Sequence, residues 1–119
     1  MKLQLMQILD RGVPLKERLW IKVLASTDLN YYLVFDSEHL SPVGISTDPK
    51  HIFWFPKVRV NPGDNIILMT APGVNSTKVS LGITNRYFYW GLKNTIWDDR
   101  KSCAVLIEIN TWETTRFQQ

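Results

Sequence analysis

The chain contains one cysteine, Cys103, which excludes an internal disulfide and any cysteine-based zinc cluster within one copy. It also lacks a Gly-x-Ser-x-Gly elbow, a Walker A loop and a Gly-x-Gly-x-x-Gly fingerprint, so the common nucleophile and nucleotide-binding motifs are absent. Histidine is scarce. His39 and His51 stand twelve positions apart, flanking a segment with Pro42 and Gly44, and two imidazoles fall short of the usual catalytic zinc ligand set. No apolar run approaches the roughly 18 residues of a membrane-spanning helix. At the amino terminus, Gln4, Gln7 and Asp10 interrupt what would be the apolar core of a leader, and no small-residue cleavage site follows. The expectation is a soluble, intracellular protein without a membrane span, and the Asn75-Ser76-Thr77 sequon reads as chance. Charge bias is weak too. Fourteen Lys and Arg against 11 Asp and Glu leave +3, a slight tilt toward anionic partners and no basic stripe.

What is present is an ordinary globular composition: 119 residues, 45% hydrophobic and 21% charged, with six glycines and six prolines. That length suits a single domain over 1–119 with its own core. Strand periodicity runs through it. Leu19, Ile21, Val23 and Ala25 alternate with Trp20, Lys22 and Ser26, and Thr27-Asp28-Leu29-Asn30 then predicts a turn into a second strand from Tyr31 to Asp36, together a hairpin. Residues 37–50 read as a long irregular connection. Further strands are expected over His51–Phe55, Val58–Val60, Asn65–Thr70, Lys78–Ile83, Arg86–Trp90 and Cys103–Ile109. Asn61-Pro62-Gly63-Asp64 fits a type II turn, and Asn110-Thr111 predicts a turn into a last strand through Trp112 to Phe117. The first dozen residues fit a strand, although Leu5, Met6, Ile8 and Leu9 also share a helical face. Roughly seven to nine short strands with frequent turns describe an all-β sandwich or barrel.

Candidate chemistry is sparse. Asp36, Glu38 and His39 read as solvated loop residues, Asp98-Asp99 as an exposed turn balanced by Arg100-Lys101, and Cys103 as a small buried apolar residue. No catalytic, cofactor-binding or metal-ligating residue is assigned, and no cofactor is expected. Aromatics alternate with bases in two segments, Phe53 to Arg59 and Arg86 to Lys93. Lys57, Arg59, Arg86, Trp90, Lys93, Trp97, Arg100 and Lys101 are therefore candidates for a partner or nucleic-acid surface, with bases stacking on the indoles and phosphates meeting the cations. The same aromatics also suit a sandwich core.

Tyr89-Trp90-Gly91-Leu92-Lys93-Asn94-Thr95-Ile96-Trp97-Asp98-Asp99, followed by Ala104-Val105-Leu106-Ile107, resembles the lamin tail domain family. Phe53-Trp54-Phe55-Pro56, Val60-Asn61-Pro62-Gly63-Asp64 and Ile66-Ile67-Leu68 extend the resemblance over roughly residues 51–117. Two departures stand out: Leu29-Asn30-Tyr31-Tyr32-Leu33 lacks the family's Gly, and Asn110-Thr111 replaces its Gly-containing last turn. The resemblance implies an immunoglobulin-like β-sandwich and a non-catalytic role. The expected partner is a protein, with nucleic acid as the alternative.

Overall fold

A computed structural model describes residues 1–40 and 44–116. Strand makes up about 47% of the chain and helix 3%, so the fold is all-β. The strands are β1 (Leu3–Leu9), β2 (Arg18–Val23), β3 (Thr27–Asp28), β4 (Tyr32–Glu38), β5 (Ile52–Trp54), β6 (Arg59–Val60), β7 (Asn65–Met69), β8 (Ser76–Ser80), β9 (Ile83–Tyr89) and β10 (Ser102–Glu108). They form a five-stranded sheet in the order β1-β2-β7-β9-β8, a three-stranded sheet β10-β4-β5 and a small pair β3-β6. Pairing is antiparallel except between β7 and β9. The two larger sheets enclose the core. Leu3, Leu19, Ile21, Val23, Ile66, Leu68 and Phe88 come from one sheet, and Tyr32 and Val34 from the other. No helix among the described residues is long and apolar enough to cross a membrane.

The expected strand at the amino terminus forms, and its helix-like pattern has a local cause. A bulge between Leu5 and Gln7 leaves Met6 without a paired residue. Leu3 and Leu5 face the core before it and Ile8 after it, so the inward spacing changes from two to three residues. Gly63, at φ +90°, occupies the left-handed position that a type II turn gives to its third residue.

Two pairings differ from expectation. The predicted hairpin of β2 and β4 does not form: β2 pairs with β1 and β7, while β4 lies in the opposite sheet between β10 and β5. The connecting 3-10 turn Leu29–Tyr31 buries Leu29 completely, and an apolar anchor of this kind carries the chain across the core instead of along one edge. The predicted last strand is also absent over the described residues 110–116. The Ile109 N–H donates to the Tyr31 carbonyl (2.7 Å), and the Trp112 ring packs 5.9 Å from Tyr31 and 5.6 Å from Trp54. Those contacts draw the chain across the end of β4 and β5 rather than back along β10. Phe117 lies outside the described residues.

One buried carboxylate ties the loops at the other end. Glu17 is 1% exposed. Its Oε1 accepts from the Thr70 hydroxyl (2.8 Å) and the Ile96 N–H (2.9 Å), its Oε2 from the Gly12 N–H (2.8 Å) and the Trp97 N–H (3.1 Å). Three segments distant in sequence thus meet on one side chain. Gly12 suits this place on two counts: its φ is +73°, and a Cβ there would stand 2.7 Å from the Asp98 Cβ.

Glu17→Gln turns one acceptor oxygen into a donor facing N–H groups. The loss is expected to be about 3 kcal/mol, which corresponds to a fall in Tm of roughly 10 °C for a domain of this size. Thermal unfolding followed by circular dichroism checks this, and an unchanged midpoint would remove Glu17 from its structural role.

Candidate functional site

The outward faces of the two sheets differ in chemistry. On the five-stranded sheet a polar ladder crosses β2, β7 and β9: Trp20 Nε1 and Lys22 Nζ donate to Asn65 Oδ1 (2.9 and 3.3 Å), and Asn65 Nδ2 donates to Asn85 Oδ1 (2.8 Å). Among the described residues the three-stranded sheet has no such ladder. Its inward positions are Tyr32, Val34, Phe53, Ala104 and Leu106, so the alternate residues face outward. These are Leu33 and Phe35 on β4, Val105 and Ile107 on β10, and Ile52 and Trp54 on β5.

Register arranges the six in two cross-strand rows. Ile107 lies opposite Leu33 and Leu33 opposite Trp54; Val105 lies opposite Phe35 and Phe35 opposite Ile52. Ile52 is 58% exposed, Trp54 49% and Ile107 37%, with the other three half-buried. Strands apolar on both faces are characteristic of sheets covered on both sides, whereas here one side faces solvent. At the end of the face Trp112 packs edge-to-face on Trp54 and tilted on Tyr31, and Trp54 Nε1 donates to the Asn30 carbonyl (2.9 Å). At the other end the loop before β5 closes over Ser37, whose hydroxyl donates to the Ser46 carbonyl (2.6 Å).

The residues singled out from sequence are dispersed. Trp97 is fully buried, which corrects its assignment to a surface, and its Nε1 donates to the Cys103 carbonyl (3.3 Å). Trp90 is half-buried against the core, 5.8 Å from Trp97 and 5.9 Å from Phe53. The two indoles most exposed are instead Trp54 and Trp112. Lys57 and Arg59 are exposed near the end of β5, with Arg59 lying 3.8 Å from Asp28. Arg86 is largely covered, 3.7 Å from Asp64. Lys93 lies on the loop after β9, and Arg100 and Lys101 immediately precede β10. Arg59 borders a cleft with Glu108, at the opposite end of β10 from Lys101, so these cations do not converge.

Asp36 is corrected as well. It is buried on the inward side of β4, accepting the His51 backbone N–H (2.6 Å) and standing 3.0 Å from His51 Nδ1, while Glu38 and His39 are exposed as expected. Asp98 and Asp99 are exposed, and the Asp99 carboxylate accepts the Lys101 N–H (2.8 Å). Cys103 is buried, and desolvation raises its thiol pKa, with lesser contributions from Arg11, which opposes the rise, and from Asp36 and Glu38. A small buried apolar role for it agrees with this geometry.

The outward face escaped sequence reading although its signal was present. Tyr31–Phe35 and Cys103–Ile107 are apolar at successive as well as alternate positions, the pattern of a strand covered on both sides. Comparison of the chain with protein-family models, curated proteins and solved structures finds no match.

Beside the face, Tyr32 donates its hydroxyl to Glu108 (2.7 Å), and burial first, then Glu108, raises its pKa. A raised value means that the folded state holds the phenolic proton more tightly than the unfolded chain. The resulting stability is fully present below the ordinary tyrosine value near 10 and is lost as pH rises through the elevated one. Wild type should lose Tm more steeply than Tyr32→Phe above that range; parallel profiles in alkaline thermal scans would contradict this.

Proposed function

We propose that this chain is a non-catalytic interaction module that buries the outward face of β10-β4-β5 against a protein partner. The observation that carries the reading is the pair of apolar rows Ile107-Leu33-Trp54 and Val105-Phe35-Ile52, presented to solvent on a regular sheet. Burying apolar area of this kind is the main favourable term in protein association. An exposed indole such as Trp54 is of the residue type most enriched among energetic anchors of interfaces. The opposite face of the molecule, with its polar ladder, has no comparable need of cover.

The resemblance to lamin tail domains over residues 51–117 supports the same reading, since it implies an immunoglobulin-like sandwich used for contacts rather than turnover. A protein partner is favoured over nucleic acid by the arrangement of the cations. Arg59 and Arg86 lie beside carboxylates, and Trp97 is withdrawn into the core. A stacking groove needs bases and exposed rings side by side.

The test is a double substitution, Ile52→Lys with Ile107→Lys, at two exposed positions where folding tolerates charge. Tm is expected to stay within a few degrees of wild type. Proteins captured quantitatively from an extract of the native cells by wild type should fall about tenfold on the variant, the equivalent of roughly 1.4 kcal/mol. Equal recovery of every captured protein on the two baits would refute the assignment of this face.

A further inference from the structure

The β8 edge of the five-stranded sheet is separate from the outward face of β10-β4-β5 and has its own chemistry. Among the described residues β8 pairs with β9 alone, and all five of its residues, Ser76–Ser80, are exposed. Its register runs without a shift from Ser76 opposite Tyr87 to Ser80 opposite Ile83, and no proline interrupts it. The opposite edge, β1, loses this regularity at its bulge.

The register also fixes which main-chain groups are free. Leu81-Gly82 is a two-residue turn, so Ser80 and Ile83 close the hairpin as a hydrogen-bonded pair, and such pairs alternate along an antiparallel ladder. Ser76, Lys78 and Ser80 therefore bond to β9. Thr77 and Val79 direct their N–H and C=O groups off the sheet, and no loop hydrogen bond among the described residues uses them. These groups have the spacing of a further extended backbone.

Charge around the edge is one-sided. From Asn65 through Trp97 the sequence holds Lys78, Arg86 and Lys93 and no Asp or Glu. Arg86 faces Asp64 at 3.7 Å and Lys93 lies on the loop after β9, which leaves Lys78 as the cation of the edge. It has no ion pair among the described residues. Lys78 shares the outward side with Asn85, the residue opposite it, and its ammonium stands 5.6 Å from the centroid of the Tyr87 ring. That position leaves the main chain of the edge uncovered.

We propose that β8 receives an extended segment of another protein as an antiparallel sixth strand, with an acidic side chain opposite Lys78. A second copy of this chain does not suit the place. The two-fold register that occupies the free groups of Thr77 and Val79 on both copies sets Lys78 opposite Lys78, and like charges directly opposite are destabilising. Lysine on an edge strand thus opposes self-pairing, and a carboxylate turns the same residue into an attraction. The neighbours of the acid fall beside Thr77 and Val79, and Val79, 69% exposed, favours a β-branched apolar residue there.

The probes are the blocked peptide acetyl-Ser-Thr-Val-Glu-Thr-Thr-Ser-amide and its counterpart with Lys in place of Glu, titrated to the millimolar range against isotope-labelled protein in amide NMR. The Glu peptide is expected to shift the Thr77 and Val79 amides saturably, and the Lys peptide to bind roughly fivefold more weakly. Lys78→Glu should reverse that order. Val79→Pro removes an edge N–H that β9 does not use, a setting in which proline is accepted, and should abolish binding while leaving Tm within a few degrees of wild type. If Val79→Pro does not fold, the reversal in Lys78→Glu decides alone. The proposal fails if neither peptide moves these amides, if binding survives Val79→Pro, or if the order of the peptides survives Lys78→Glu. It also fails if the same amides shift with protein concentration alone, which would make a second copy the occupant.

Discussion

The Glu17 carboxylate is the constraint on which the rest of the fold depends. A buried anion is expensive unless every lone pair is occupied, and here four donors, three backbone N–H groups and one hydroxyl, surround it. Because the donors come from the β1–β2 connection, the end of β7 and the segment before β10, one side chain fixes how three loops lie together. Its most important consequence is the position of Trp97. From that indole an unbroken set of aromatic contacts runs through Trp90, Phe53, Phe55 and Phe88, at centroid separations of 5.8, 5.9, 5.0 and 5.3 Å. This column bridges the two sheets, which is why most of the aromatics that alternate with lysine and arginine in the sequence face inward. Basic residues beside them are left on separate stretches of surface.

The legibility of the fold in the sequence follows the physics of alternation. Strands stood out where one face is apolar and the other polar, as with Leu19, Ile21 and Val23 against Trp20 and Lys22 in β2. Period two identifies residues that share a face; it does not say which face is inside. Where both faces are apolar the sign is lost, and β10 shows the result. Val105 and Ile107 share one side and point away from the core, Cys103 on the same side is buried at the start of the strand, and Ala104 and Leu106 point into the core. Nor is pairing a local property. The turn residues after β2 correctly mark a break, yet the burial of Leu29, a tertiary event, decides that the next strand joins the other sheet.

Other misreadings have equally specific causes. A single-residue bulge at Met6 changed the inward spacing enough to imitate a helical face. Glu17 carries no local signature, because three of its four donors lie 53 to 80 positions away. The candidate face was missed for a related reason: Trp54 and Trp112 are far apart in sequence and meet only because the chain after β10 turns toward Tyr31. Thr111, Trp112, Thr114 and Thr115 have strong strand propensity, but propensity ranks below a well-formed aromatic contact in deciding where a terminal segment lies.

How the sheet edges are treated bears on the mode of binding. An open edge invites strand addition unless it is blunted, and several edges here are. The bulge in β1 shifts its register midway, so a straight incoming strand cannot pair along its length. β5 is only three residues long and is followed closely by Pro56. At the start of β10 the Ser102 and Cys103 carbonyls already accept from Arg11 and Trp97. Main-chain pairing is thus impeded at edges of both larger sheets. On the proposed reading, contacts are then made by side chains across the broad, flat outward face, where Trp54 and Ile52 supply area. A surface built in this way would select a partner by the shape of its apolar groups, because the backbone at those edges offers little for an arbitrary extended peptide to hold.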